Sequence, residues 1–407
     1  MGINEIGASD PLAGLDAIDW AELTHAYGSA EDVPGQLRAL RSPDEEARRT
    51  AFGKLYGNIF HQGSRYEATS YAVPFLVGMA VAPDTPDRDL LLWLLGAIAI
   101  GHDESWLPQA VDIVRWRTHV AETKATSPEE AQRKMDAWVE EAPDENERRS
   151  REFWRTWHSF EYELRQAVSE LAAYDAVRAA VPALCGLLED SDPGVRAGAA
   201  YVLGWFPEEA GTSLPALLRA AAAEPNAVIA VGLVGDASHV APLRPFLRGQ
   251  DPALRCAAAL ALARLGVTEA EVIGELAVAA ANPPDDHWLV FFEGDLRGYA
   301  SATLAGLDGQ VGAEAVDAVL DGLAQTSETG SFAPTAAALR LVFGERAPQP
   351  LPPFGKLDEP QRRAVRVLAE LDPQTWQWIN FMEILGRWGL PAVHEELRTY
   401  AELPAAH

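Results

Sequence analysis

The chain of 407 residues carries 60 acidic against 33 basic side chains, a formal net charge of −27, and so lacks the basic footprint that binding a phosphate backbone requires. Apolar residues make up 48% and charged residues 23%, which excludes wholesale disorder. No run alternates as a strand, so an all-α protein is expected. Its acidity favours solubility and a cationic partner.

The two cysteines, Cys185 and Cys256, have no C-x-x-C neighbour. Neither a disulfide framework nor a thiolate metal site is expected, and a reducing cytoplasm fits. Met1 to Leu12 shows no basic segment followed by an apolar one, so no signal peptide is expected. The longest apolar run, Leu90 to Ile100, is too short to span a bilayer, so no membrane association is expected.

In chain order, residues 1 to 17 read as a loose lead-in and Asp19 to Leu23 as the start of the first helix. Residues 18–112 form N-terminal repeats: Val33-Pro34, Leu37, Leu40, Asp44, Arg48 and Leu55 recur at an offset of 40 as Val73-Pro74, Val77, Ala80, Asp84, Arg88 and Leu95. Between these copies, His61, Arg65, Tyr66 and Glu67 stand on one polar loop and are candidates for binding a partner or ligand. Satisfied helix ends and a packed histidine explain the same residues. His102 and Asp103 follow the second copy. They have the chemistry to ligate a cation, but adjacent positions project in different directions, and helix termination with capping accounts for them equally. No metal site and no cofactor are expected.

Residues 113–150 break the pattern as a charged insertion, with a capped helix from Ser127 and then a solvated linker. Such insertions tend to sit on the partner-facing side. Residues 151–280 hold a long helix, Arg151 to Ala172, and the central repeats. Phe153, Trp154, Trp157, Phe160 and Leu164 form one stripe of that helix and are expected in the core.

From Val181 to Gly266 one helical paragraph is written more than once. At an offset of 59, Leu184, Leu187, Leu188, Asp192-Pro193, Arg196 and Leu203 become Leu243, Phe246, Leu247, Asp251-Pro252, Arg255 and Leu262. A weaker copy starts at Leu214-Pro215. Asp192 is suited to cap the second helix, with Pro193 at its first position and Arg196 one turn on. Ala197 to Ala200 and Ala257 to Ala261 provide small residues for close stacking. The pairs Asp44/Arg48, Asp84/Arg88, Asp192/Arg196 and Asp251/Arg255 recur in register, and their role is read as structural.

The Val-Pro starts, the Asp–Arg pairs and the alanine-rich faces resemble HEAT repeats, and the 181–266 copies are similar to the short variety of phycobilin-lyase-type HEAT proteins. The resemblance implies an α-α superhelix over residues 1–407, a single HEAT/armadillo-like solenoid in which aspartates and arginines of successive repeats form a ladder. Asp19 to Met79, with DWAELTHAYGSAEDVPGQLRAL and GNIFHQGSRYEATSYAVPFL, also resembles the opening of a group of bacterial HEAT-repeat proteins of unassigned activity. It implies a fold and no chemistry.

Residues 281–407 read as divergent repeats and a C-terminal cap. Helices are expected at Glu269 to Ala280, Gly294 to Ala305 and Ala313 to Gln325, then a proline-rich linker, Ala347 to Phe354. Asp358, Pro360 and Arg362 start another helix, and Trp376, Trp378, Phe381, Leu385 and Trp388 mark a bulky terminal helix that closes the stack. Asp286, His287, Trp288 and Glu293 would, if His158 and Glu161 joined them in space, have the acidic and aromatic character that suits a cationic ligand or basic peptide.

No phosphate loop, dinucleotide fingerprint, nucleophile elbow or H-E-x-x-H occurs. The expectation is a non-enzymatic interaction scaffold or regulatory, neutralising module. It would bind a protein or basic peptide on an acidic concave face, with no nucleic acid, no membrane and an oligomeric state left open. The alternative is an enzyme, lyase-like or small-molecule-modifying, in the solenoid groove. A deep tryptophan-lined pocket where His61, His158 or His287 converge would favour it.

Overall fold

Proline in the opening turn, an aspartate cap before it and a glycine after the last turn set the limits of many helices in this all-α, HEAT-like fold. The computed structural model describes residues 10–157, 159–285, 289–307 and 309–404. The chain divides into two compact units, Met1–His102 with Val111–Ser213, and Asp103–Ala110 with Leu214–His407.

The first unit opens differently from expectation. Asp19 to Leu23 makes only a single 3-10 turn, in which the buried Trp20 donates its indole N–H to the Leu15 carbonyl at 2.9 Å. A hairpin of β1 (Thr24–His25) and β2 (Gly28–Ser29) follows, then α1 (Val33–Ala39) and α2 (Glu45–Ile59). A second hairpin, β3 (Phe60–His61) and β4 (Ser64–Arg65), turns through Gln62 and Gly63, whose φ of 50° and 86° suit a two-residue turn with both centres left-handed. So, among the described residues, two short strand pairs interrupt the run of helices.

Beyond them come α3 (Glu67–Val81), α4 (Arg88–Ile100), α5 (Ile113–Ala125), α6 (Pro128–Glu140), α7 (Glu145–Trp157), α8 (Phe160–Arg178), α9 (Val181–Leu184) and α10 (Pro193–Leu203). Helix α10 packs on α4 through small residues: a Cβ on Gly198 would stand 2.8 Å from Leu92 Cβ, and one on Gly96 2.3 Å from the Tyr201 ring. The predicted long helix from Arg151 is broken into α7 and α8, because Ser159 caps α8 by accepting the Tyr162 amide at 3.2 Å. The predicted linker is instead the start of α7, where Asp144 accepts the Asn146 and Glu147 amides at 2.9 Å. Ser127 does cap α6, accepting from Glu130 at 3.2 Å.

Helix α11 (Ala210–Ala220) contains the boundary between the units. The second unit holds α12 (Pro225–Val234), α13 (Val240–Leu243), α14 (Pro252–Arg264), α15 (Ala270–Ala281), α16 (Leu296–Ala305), α17 (Ala313–Leu323), α18 (Phe332–Phe343), α19 (Glu359–Glu370), α20 (Ile379–Trp388) and α21 (His394–Tyr400). Helix α20, which carries Phe381, Leu385 and Trp388, is therefore not the last element. Trp376 precedes it in a 3-10 turn and stacks on His394 of α21 at 4.6 Å.

Three of the four copies of the repeated signature share one geometry. Asp192 accepts the Gly194 amide at 2.9 Å and Asp251 the Ala253 amide at 2.8 Å, so each caps its own helix. The arginine turns back to the preceding loop. Arg196 Nη1 donates to the carbonyls of Asp190 and Ser191 at 2.9 and 3.2 Å, and Arg255 Nη1 to those of Gly249 and Gln250 at 3.1 and 3.0 Å. Arg48 Nη1 does the same to Ser42 and Pro43, while Asp44 caps α2.

Carboxylates further along the chain receive the remaining guanidinium N–H groups. Arg48 Nε reaches Asp87 at 2.6 Å, Arg88 Nη2 reaches Asp190 at 2.8 Å and Arg255 Nε reaches Glu275 at 3.3 Å. Burial pushes the Asp190 carboxyl up, but Arg88 and the Asp192 amide outweigh it and hold Asp190 below its usual range. The Asp84/Arg88 copy departs from the pattern. The N-cap of α4 is Asp87, Asp84 accepts from Arg41 at 2.7 Å, and Arg88 Nε donates to the Ala80 carbonyl at 2.8 Å.

Candidate functional site

In the first unit, α6 and α7 form a helical hairpin with only a narrow apolar edge, too little for both to bury their aromatics. Trp138, Phe153, Trp154 and, on α8, Tyr162 remain 40%, 65%, 54% and 41% exposed. The stripe expected in the core is thus in part a surface, with Phe153 and Trp154 exposed on α7.

Arg151 fastens this hairpin. Its guanidinium lies 4.8 Å from the Trp138 ring centroid, Nη1 donates to the Trp138 carbonyl at 2.5 Å and Nε to Glu147 at 2.9 Å. Beside it open two adjoining clefts of about 350 and 440 Å³ that share Met135, Trp138 and Glu163. Glu147, Ser150, Arg151 and Trp154 complete the first, and Phe160, Glu122 and Lys134 are among the residues that complete the second. Lys134 is already paired with Glu130 at 2.8 Å. Elsewhere on α5 and α8, Arg117 grips Asp175 at 2.6 and 3.0 Å, and the Tyr174 hydroxyl donates to Glu208 at 2.7 Å.

The polar loop singled out in the sequence lies elsewhere in the same unit. Arg65 is 4% exposed, with its guanidinium 5.8 Å from the Trp116 centroid, 3.5 Å from Glu170 and donating to the Gly63 carbonyl. Burial pulls the Arg65 pKa down against the attraction of Glu170, and pushes the Glu170 carboxyl up against Arg65 and Gln166. Gly101, at φ 78°, makes room for this side chain, since a Cβ there would stand 2.8 Å from Nη1.

The loop's other residues hold the hairpin down. Glu67 accepts from Thr24 at 2.8 Å, His61 Nδ1 lies 3.3 Å from the Tyr27 hydroxyl, and the Tyr66 backbone amide donates to the Thr69 hydroxyl at 2.8 Å. Burial is the main push that raises the Tyr66 hydroxyl pKa. His102 joins them, because a Cβ on Gly63 would meet its ring at 2.9 Å.

Asp103 belongs to the second unit, where it is 2% exposed and accepts the Phe292 amide at 2.7 Å. Glu293 is exposed in the same turn at φ 53°, and Glu161 is exposed in the first turn of α8. His158, Asp286, His287 and Trp288 lie outside the described residues. Among the described residues no group of three or more His, Cys, Asp or Glu side chains could hold a metal ion. No single described helix is long and apolar enough to cross a membrane.

Sequence reasoning passed over Met135, Trp138, Glu147, Arg151 and Glu163. A signal was present: Met135 and Trp138, and Arg151 and Trp154, stand three apart on helices outside the repeat pattern.

Comparison with protein families matches residues 155–229 to HEAT repeats. Among solved structures, the crystal structure of an engineered protein is similar at 17% identity and a TM-score of 0.25, covering 91% of this chain and 97% of that one. Comparison with curated proteins finds no match.

Proposed function

From the HEAT repeats that this chain carries, we propose that it is a non-enzymatic scaffold that binds another protein through an acidic, aromatic-walled face. The observation that carries this reading is the exposure of Trp138, Phe153, Trp154 and Tyr162 on α6 to α8, with Trp138 and Trp154 lining one cleft. Exposed aromatics rimmed by polar residues mark interaction surfaces, and insertions outside a repeat pattern often face the partner. The net charge of −27 disfavours a nucleic acid and favours a basic protein. Cys185 and Cys256 are not joined in a disulfide, which fits a reducing, cytoplasmic setting. A groove enzyme draws no support from His61, whose ring lies 5.4 Å from that of Tyr27 in an edge contact.

The test is affinity capture by the full chain from extracts of the cells that encode it, with the Trp138→Ser/Trp154→Ser variant alongside. A stoichiometric protein retained by the wild type and lost by the variant is the expected result. Equal recovery on both would remove the α6 to α8 face from the reading, and recovery of no protein would remove the scaffold itself.

A further inference from the structure

We propose that the cleft between α5, α6, α7 and α8 recognises a lysine or arginine side chain of an extended partner segment, holding the cation between an aromatic face and the carboxylates of Glu122 and Glu163. This rests on the scaffold reading and names the chemistry of its partner.

Three observations carry it. The cleft already contains one such contact made by the chain itself, because Arg151 lies over Trp138 at 4.8 Å while Glu147 accepts its Nε–H at 2.9 Å. An indole face with a carboxylate beside it is a favourable seat for a guanidinium or ammonium group. The same two kinds of group recur along the rest of the wall, with Trp154 and Glu163 lining the first cleft and Phe160, Glu122 and Glu163 the second.

Charge gives the second observation. The arginine and the lysine in the walls are matched, Arg151 by Glu147 and Lys134 by Glu130 at 2.8 Å, and His119 is the remaining basic side chain of the lining. Glu122 and Glu163 have no cationic partner among the described residues. The unfilled part of the cleft is therefore negative, within a chain whose net charge is −27.

The third is what this charge does to other occupants. A purely apolar helix laid into the cleft would strip water from Glu122 and Glu163 with nothing to replace it, which costs more than the aromatic contact returns. An anionic or nucleic-acid segment would meet like charge. A cation on a flexible stem lies against the aromatic wall and satisfies the carboxylates together. Arginine suits the site better than lysine, because its planar fork can stack on an indole while donating sideways to a carboxylate.

The experiment titrates the full chain into a fluorescein-labelled nine-residue peptide of alternating glycine and serine with three arginines, read by anisotropy at low and moderate salt. The same peptide with citrulline in place of arginine is the neutral control. Binding of the arginine peptide and not of the citrulline peptide is expected. Glu163→Gln and Trp154→Ser should each weaken it about fivefold, while Glu31→Gln, an exposed acid remote from the cleft in sequence, leaves it unchanged. All three positions are exposed, and unchanged melting curves confirm that the variants remain folded.

Absence of arginine-peptide binding, equal binding of the citrulline peptide, or equal losses in Glu31→Gln and Glu163→Gln would each overturn the proposal. If capture of a protein partner still depends on Trp138 and Trp154 while the arginine peptide fails, the scaffold stands and its cationic specificity falls. If the peptide binds as expected but no protein is captured, the cleft's cation specificity stands and the scaffold reading falls.

Discussion

Arg255 shows how one side chain can serve two levels of structure. Its Nη1 closes the carbonyls of Gly249 and Gln250 while Nε reaches Glu275 on α15. A helix-to-helix turn leaves carbonyls that need donors, and a planar guanidinium supplies several in fixed directions. Arg255→Met should therefore cost about 1–2 kcal/mol, seen as a lower urea midpoint with unchanged slope. Arg255→Lys should recover less than half of that loss, because an ammonium lacks the fork. Equal stability of all three proteins would mean that water serves these carbonyls as well. The recurrence of this residue was legible in the sequence; its partners were not. An Asp four positions before an Arg suggests an ion pair along the helix, whereas Asp251 is occupied in capping and the arginine finds loop oxygens five and six residues back.

At the scale of elements, the spacing between helices is set by where side chains are missing. Gly232 of α12 meets α14 so closely that a Cβ on it would stand 2.5 Å from Ala261 Cα, which is backbone and cannot step aside. Gly274 of α15 has nothing within 4 Å of the same built atom. Gly232→Ala should then destabilise by about 1–3 kcal/mol through forced separation of the helices. Gly274→Ala should stabilise by up to about 1 kcal/mol, since alanine loses less backbone entropy in a helix. Differential scanning calorimetry of the two variants separates a contact effect from a propensity effect, and a shared sign would refute the contact.

The same contrast explains which elements could be read beforehand. Helices of the 181–266 copies announce themselves by proline starts, aspartate caps and alanine faces. Helices α6 and α7 have no repeat partner, and the aromatic periodicity running from Phe153 through Leu164 hid the Ser159 cap that ends one helix and starts another. A periodic stripe records a helical face but not whether another element covers it, so Phe153 and Trp154 could not be placed at the surface from spacing alone.

For the whole molecule the governing quantity is charge, with 60 acidic residues against 33 basic ones. Two opposing terms respond to salt. Mutual repulsion of a net charge of −27 disfavours the compact state and weakens as ions screen it. Paired groups such as Arg244 with Glu269 and Arg248 with Glu271 also weaken on screening, but exposed pairs of this kind contribute little to begin with. Repulsion is summed over the surplus acids, whereas pairing is confined to the 33 basic residues, some of them bonded to backbone carbonyls. The melting temperature should therefore rise from low to moderate sodium chloride. Affinity for an arginine peptide, which depends on the unscreened field of Glu122 and Glu163, should fall over the same range. The opposite slopes distinguish a specific acidic cleft from a loss of binding caused by unfolding. A melting temperature that fell with salt would instead assign the larger share of stability to networks like Arg117, Asp175 and Glu208, where several charges are held together against α8.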